Sequence, residues 1–240
     1  EDLNAPKFTL NSSLISETKN LKNIIFIGGQ IRLSENKNLS SIESFEIKKA
    51  ASVTIDDFMF YNFKSLKEVS VESKTEVNFG KTCFQGCDKL EKVSISGANI
   101  TFGEGCFQSC TSLESLTCSN AVTIIAQNRA FFACSKLSTL DIGASSDVTF
   151  GQSCFSGSGI QDVTIQGEKI SIKDDCFKST PIKKFSIPSA NQIALLKSSF
   201  EKCEQLHDVK LDAANKLTIG DFSFRDACLL ANVEMIGEEV

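Results

Sequence analysis

The 240-residue sequence contains no tryptophan, one tyrosine and one histidine. A single histidine means that Ser–His or Cys–His nucleophilic catalysis would rest on His207 alone, and no Gly-x-Ser-x-Gly elbow accompanies it. His207 lies between Leu206 and Val209, at a position held in sister segments by Lys67, Glu91 and Glu114, which marks it as a surface polar residue. No phosphate-binding loop of the form Gly-x-x-x-x-Gly-Lys is present. No Asp-x-Asp-x-Asp loop surrounds the acidic pairs Asp56-Asp57 and Asp174-Asp175, so these read as turn formers and not calcium ligands. The sequence therefore predicts no enzyme, no cofactor and no metal site. Clustered cations are also lacking. With a net charge of -5 and a pI near 5.1, a nucleic-acid partner is excluded, because phosphate binding needs grouped Lys and Arg. The pairs Lys48-Lys49 and Lys183-Lys184 read as solvated edges. No run approaches the roughly 18 apolar residues of a membrane span. Residues 1 to 20 lack the charged-then-apolar pattern of a secretory signal. No membrane insertion by this segment is expected.

Against these absences stand nineteen phenylalanines and ten cysteines. Both are explained by repetition. Cys83-Phe84-Gln85-Gly86-Cys87, followed by Leu90, Val93 and Ile95, recurs as Cys106-Phe107-Gln108-Ser109-Cys110 with Leu113, Leu116 and Cys118. Further copies begin at Ala130-Phe131, Cys154-Phe155, Cys176-Phe177, Ser199-Phe200 and Ser223-Phe224, and an upstream copy begins at Met59-Phe60. The copies at Phe155 and Phe177 are one residue shorter before the next apolar position. Two weaker copies precede these, so the central apolar residue of the Leu-x-x-Val-x-Ile stretch falls at 24, 45, 69, 93, 116, 140, 163, 185, 209 and 233, every 21 to 24 residues.

Each copy has a second alternating stretch ahead of its Phe, such as Val77-Asn78-Phe79-Gly80 and Ile100-Thr101-Phe102-Gly103. Apolar residues two apart with a polar residue between them predict extended chain with one face buried. The segment around Cys-Phe-x-x-Cys is too short for a normal helix and predicts a single 3₁₀ or helical turn at a corner. The Gly closing the second stretch is expected to permit a sharp bend. Such a unit has no core of its own and must stack on its neighbours. The fold class expected is a repeat solenoid of about ten coils, a rod or shallow arc on the order of 45 Å long at one strand spacing per coil. It forms a single domain over 1–240, with degenerate coils over residues 1–47 and regular coils over 48–240. The carboxyl edge is expected to continue or to be paired.

The pattern Leu-x-x-Val-x-Ile, an extended stretch, then Cys-Phe-x-x-Cys-x-x-Leu resembles the BspA-like, treponemal-type class of leucine-rich repeat, whose corner typically reads Ala-Phe-x-x-Cys. The resemblance covers essentially the whole chain, though residues 31 to 45 lose the Phe and shorten the corner. It implies a leucine-rich-repeat arc and a place at a cell surface or in the secreted fraction. It also implies adhesion to host or cell-surface proteins.

The cysteines occupy two repeat positions shared with Met59, Ala130, Ser158, Thr180 and Ser199. Such interchange suits packing and not metal ligation, so mostly free, buried thiols are expected. The candidate protein-binding surface is the outward, concave face of the Leu-x-x-Val-x-Ile strands. One of its rows holds Glu68, Lys92, Ser115, Thr139, Asp162, Lys184 and Asp208. The other holds Ser70, Ser94, Thr117, Asp141, Thr164, Ser186 and Lys210. These rows lack aromatic hot-spot residues, which predicts modest single-site affinity. The alternative function is a structural, self-assembling scaffold using solenoid ends or lateral faces. Asn11, Asn38 and Asn99 open Asn-x-Ser/Thr triplets and are candidate glycosylation sites.

Overall fold

The computed structural model describes residues 7–10, 20–34, 39–142 and 146–237. Its strands in chain order are β1 (Lys7–Leu10), β2 (Asn23–Ile27), β3 (Gln30–Leu33), β4 (Ser44–Ala50), β5 (Ser52–Ile55) and β6 (Glu68–Ser73). They continue with β7 (Glu76–Phe79), β8 (Lys92–Ser96), β9 (Asn99–Phe102), β10 (Ser115–Ser119), β11 (Thr123–Ala126) and β12 (Thr139–Ile142). The series ends with β13 (Asp147–Phe150), β14 (Asp162–Thr164), β15 (Lys169–Ile172), β16 (Lys184–Leu195), β17 (Asp208–Ile219) and β18 (Asn232–Ile236). Every pairing is parallel and joins equivalent positions of neighbouring coils, as in Val69↔Val93 and Ile100↔Ile124. About nine turns close a parallel β-solenoid. Even-numbered strands from β2 to β12 form a six-stranded first sheet. The odd-numbered strands build a second, longer sheet opposite.

Alternation decides what goes inside. In β6, Val69 and Val71 are buried while Glu68 is exposed, and in β9 Ile100 and Phe102 are buried while Asn99 is exposed. Stacking then turns each inward position into a column. The rings of Phe60, Phe84, Phe107, Phe131, Phe155, Phe177, Phe200 and Phe224 follow one another at 4.8 to 5.5 Å, tilted by no more than 11°. This spacing is that of the strands themselves. Ring geometry is thus imposed by register.

The corners are not the 3₁₀ or helical turns that their length suggested; no helix is found among the described residues. Each corner carries two residues in the left-handed region four positions apart, for example Thr82 (φ 50°) with Gly86 (φ 72°) and Gly105 (φ 59°) with Ser109 (φ 60°). A left-handed residue reverses the direction of its amide, which a helix does not allow. Alternate amides therefore serve two ladders. Thr82, Phe84 and Gly86 donate to the carbonyls of Glu104, Cys106 and Gln108 in the next coil at 2.9, 2.7 and 2.9 Å. Gln85 and Cys87 bond back to Thr82 and Phe84 within the turn, both at 3.2 Å. The corner is thus a third hydrogen-bonded side of the solenoid.

The closing glycines also have a different reason from the one expected. Gly80, Gly103, Gly151 and Gly220 are not left-handed. A Cβ on Gly103 would instead lie 2.6 Å from the carbonyl carbon of Gly80 and 2.6 Å from the carbonyl oxygen of Phe79. They are glycines because backbone passes directly over backbone.

Two irregularities were not legible beforehand. β12 ends the first sheet, and β14 pairs with β16 instead. The break falls where the corner first loses a residue, between Phe155 and Ile160, and the buried Ser158 Oγ beside it has no hydrogen-bond partner. Beyond it, β16 and β17 each run 12 residues, with register shifts around Ala190, and join both sides into one sheet. The corner expected to be irregular near residues 31 to 45 lies partly outside the described residues. Leu39, Ile42 and Phe45 are nonetheless buried.

Candidate functional site

The two candidate rows point outward on the first side, in strict parallel register. Glu68, Lys92, Ser115 and Thr139 align across β6, β8, β10 and β12, as do Ser70, Ser94, Thr117 and Asp141. Asp162, Lys184 and Asp208 align across β14, β16 and β17, as do Thr164, Ser186 and Lys210. The strand pairing that carries these fourteen residues is interrupted once, between β12 and β14.

Most of the charge on these rows is already neutralised. Lys92 lies 3.7 Å from Glu68, Lys184 lies 3.8 Å from Asp208, and Lys210 lies 3.0 Å from Glu234. Each pair joins adjacent coils, so stacking has arranged opposite charges opposite one another. Exposed pairs of this kind contribute only about 0–1 kcal/mol. Their main effect is on the potential presented to a partner. Between them, Ser94, Ser115 and Thr117 make no side-chain hydrogen bond among the described residues, leaving a neutral centre of hydroxyls. Towards the carboxyl end, Lys184, Ser186, Asp208 and Lys210 surround a depression of about 540 Å³ together with Asn232 and Glu234.

The buried thiols are poor nucleophiles. All ten cysteines are free; nine are buried and Cys228 is exposed. Burial pushes the Cys118 and Cys134 thiols up to about 12, and Cys106, Cys110 and Cys154 also lie well above the usual range, burial again being the main cause. A protonated thiol neither attacks nor binds metal readily. The second cysteine of each corner has a structural use instead. Cys87, Cys110 and Cys134 donate through Sγ to the carbonyls of Phe60, Phe84 and Phe107 in the preceding coil, each at 3.2 Å. Thr180, at the same repeat position, instead donates its hydroxyl to the Phe177 carbonyl of its own coil at 2.7 Å. His207 is exposed, and its backbone carbonyl accepts from the amides of Ala231 and Asn232 at 3.0 Å. Asn99 is exposed at the start of β9, whereas Asn11 and Asn38 lie outside the described residues.

Residue-type reasoning missed two features. Phe58 and Tyr61 project from one corner, 57% and 48% exposed, with rings edge to face at 6.2 Å. They are exposed aromatic side chains of a kind that the first-side rows lack. Counting Phe as core concealed Phe58, whose left-handed backbone (φ 58°) turns its side chain outward. The second feature is an ionic ladder at the residue after the corner Phe. Glu201, 3% exposed at its side chain, bonds Arg225 of the next coil and lies 3.5 Å from Lys178 of the preceding one. Hydrogen bonding from Arg225, then Ser198, holds its carboxyl down at about 2.

A parallel solenoid one side of which repeats Leu-x-x-Val-x-Ile defines a leucine-rich-repeat protein. More narrowly, the chain belongs to the BspA-type family: the model of the BspA type leucine rich repeat region (6 copies) matches residues 29–149 and 127–238. No curated protein matches the chain. Among solved structures it is similar to a leucine-rich repeat protein from Bacteroides ovatus, at 16% identity and TM-score 0.48, over 88% of this chain and 74% of that one. It is similar to the leucine-rich repeat protein of T. pallidum at 17% identity and TM-score 0.43, over 87% and 83% of the two chains. A leucine rich cell surface protein from Faecalibacterium prausnitzii matches at 16% identity and TM-score 0.26, over 95% and 82%. Among the described residues, no helix is long and apolar enough to cross a membrane.

Proposed function

We propose that the chain is a non-enzymatic protein-binding module acting in adhesion at a cell surface, and that it binds with the outward rows of its first-side strands. The observation that carries this reading is the neutral centre at Ser94, Ser115 and Thr117. Its hydroxyls are held in register by β8 and β10, make no hydrogen bond among the described residues, and are flanked on the β6 side by the Glu68–Lys92 pair. A preorganised array of free donors and acceptors loses little entropy when a partner settles on it. The family's association with surfaces of host-associated bacteria and protist parasites supports the cell-surface setting. The buried, protonated thiols and the lone exposed His207 support the non-enzymatic part. Alanine replacement of Ser94, Thr117, Asp141 and Thr164 together is expected to abolish binding to target cells while leaving the unfolding midpoint within error. Undiminished cell binding by that variant would eliminate the first-side face as the contact surface.

A second reading is a self-assembling scaffold that uses lateral faces, favoured by the corner aromatics Phe58 and Tyr61, 57% and 48% exposed. A molecular mass that rises with concentration supports it, and a constant monomer mass removes it.

A further inference from the structure

We infer that the outer face of the second sheet carries a binding groove for an extended acidic segment of a partner protein, centred on Lys169, Lys173 and Lys216. This goes beyond the first-side reading and uses the opposite side of the solenoid.

The groove has a volume of about 570 Å³ and lies across the outward positions of β11, β13, β15 and the second halves of β16 and β17. Its floor is the register row Ile125, Thr149, Ser171, Ala194 and Thr218. Larger outward residues flank that row, so small side chains leave a channel running along the solenoid axis. Five coils span four strand spacings, roughly 19 Å, which is the length of about six extended residues.

Charge selects the occupant. Lys169 and Lys216 stand on one wall, in the row Lys169↔Gln192↔Lys216, about 10 Å apart. Lys173 stands on the other wall, four residues along the chain from Lys169. Among the described residues, none of the three makes an ion pair or side-chain hydrogen bond. The first-side lysines differ, since Lys92, Lys184 and Lys210 are each matched to a carboxylate of the adjacent coil. One carboxylate, Asp147, faces the groove in register with Lys169 without pairing to it. A chain of net charge -5 thus presents three unmatched cations against one anion around a single channel. Potential of this sign attracts an anionic partner and sets its register. A moderately charged peptide suits this balance better than a densely sulfated glycan, which would meet Asp147 and find no arginine. Ile125, 39% exposed on the floor, offers an aliphatic contact of the kind a peptide side chain uses.

The test uses fluorescence anisotropy of a labelled octapeptide alternating Glu and Val, with a Lys/Val octapeptide and a heparin octasaccharide as comparison probes. The Glu/Val peptide is expected to bind the intact chain. K169E/K216E is expected to weaken it about tenfold or more, and K169M/K216M by a smaller factor in the same direction. Raising salt from about 0.02 to about 0.2 M should also weaken it, because the charges are solvent-exposed. K92E/K184E, on the first side, should leave it unchanged. Far-UV circular dichroism of each variant checks folding, and K169M/K216M decides the matter should the reversal variant not fold. No binding of the Glu/Val peptide at low salt, equal binding by the methionine variant, or lysine-dependent binding of heparin in place of the peptide would each overturn the inference. The first-side alanine variant should retain peptide binding, so failure of one reading leaves the other intact.

Discussion

Gly103→Ala tests the claim that coil spacing is fixed by backbone crossing backbone. The added methyl would lie 2.6 Å from both the Gly80 carbonyl carbon and the Phe79 carbonyl oxygen. Carbon atoms in contact sit at about 3.5–4.0 Å, so the two coils must part locally by about 1 Å. That movement disrupts the bond from the Gly103 amide to the Phe79 carbonyl, now 2.8 Å long. One such bond contributes about 1 kcal/mol net, and overpacking a fixed site costs about 1–3 kcal/mol. The expected loss is therefore about 2–4 kcal/mol. Gly157→Ala is the control. Gly157 is left-handed at φ 69°, and the nearest atom to its added Cβ is the Ala133 Cα at 3.9 Å. Only backbone strain of about 1–2 kcal/mol applies there. Urea unfolding followed by far-UV circular dichroism measures both, with midpoint and slope fitted separately because a solenoid can lose end coils first. A Gly103→Ala loss no greater than that of Gly157→Ala would show that backbone crossing backbone does not set the coil spacing.

Two further outcomes follow from the interior and the corner. Phe107→Ala removes a fully buried ring from between Phe84 and Phe131, 4.9 and 5.3 Å away, and should cost about 3–5 kcal/mol in the same assay. A loss below about 1 kcal/mol would mean that the column does not hold the coils together. Glu201 has its folded carboxyl value lowered to about 2 from 4.5, so the stability it contributes is present above pH 4.5 and is lost as pH falls from 4.5 towards 2. The acid limb of a stability–pH curve should therefore flatten in Glu201→Gln, and an unchanged limb would show that the Arg225 and Lys178 pairing is immaterial.

Much of this architecture was legible because a repeat averages its own noise. A single Cys-Phe-x-x-Cys means little, but eight corner phenylalanines at one spacing have only one common solution, an interior column. The two-residue alternation around Val93 and Ile100 likewise assigns inside and outside without reference to any other part of the chain. The corners were misread because length alone cannot distinguish a helical turn from a pair of left-handed residues. A signal did exist, since Gly86, Gly105, Gly157, Asn62, Asp175 and Asp226 occupy those positions, the residue types that tolerate positive φ best. It was diluted by Ser109, Arg129, Ala133 and Phe222 at the same places. The glycines of the second stretch were found for the wrong reason. Their requirement is a clash with another coil, which no local rule can express.

The candidate rows show the same division. Alternation identifies Ser94, Thr117 and Asp141 as outward-facing, and the repeat identifies them as neighbours. What alternation cannot say is whether facing charges pair, because that depends on side-chain reach across one strand spacing. Lys92 meets Glu68 across such a spacing, while Lys169 stands in register with Asp147 and does not pair with it.

The solenoid, its period, its buried columns and its outward rows can be read from residue order alone, since periodic burial is a local property repeated. The split of the first sheet at β12, the merger of both sides through β16 and β17, the left-handed corners, and the unmatched lysines over the groove emerge only when the coils are stacked. Each of these depends on how one coil sits against the next to within about an ångström, the scale on which steric contact and hydrogen bonding are won or lost.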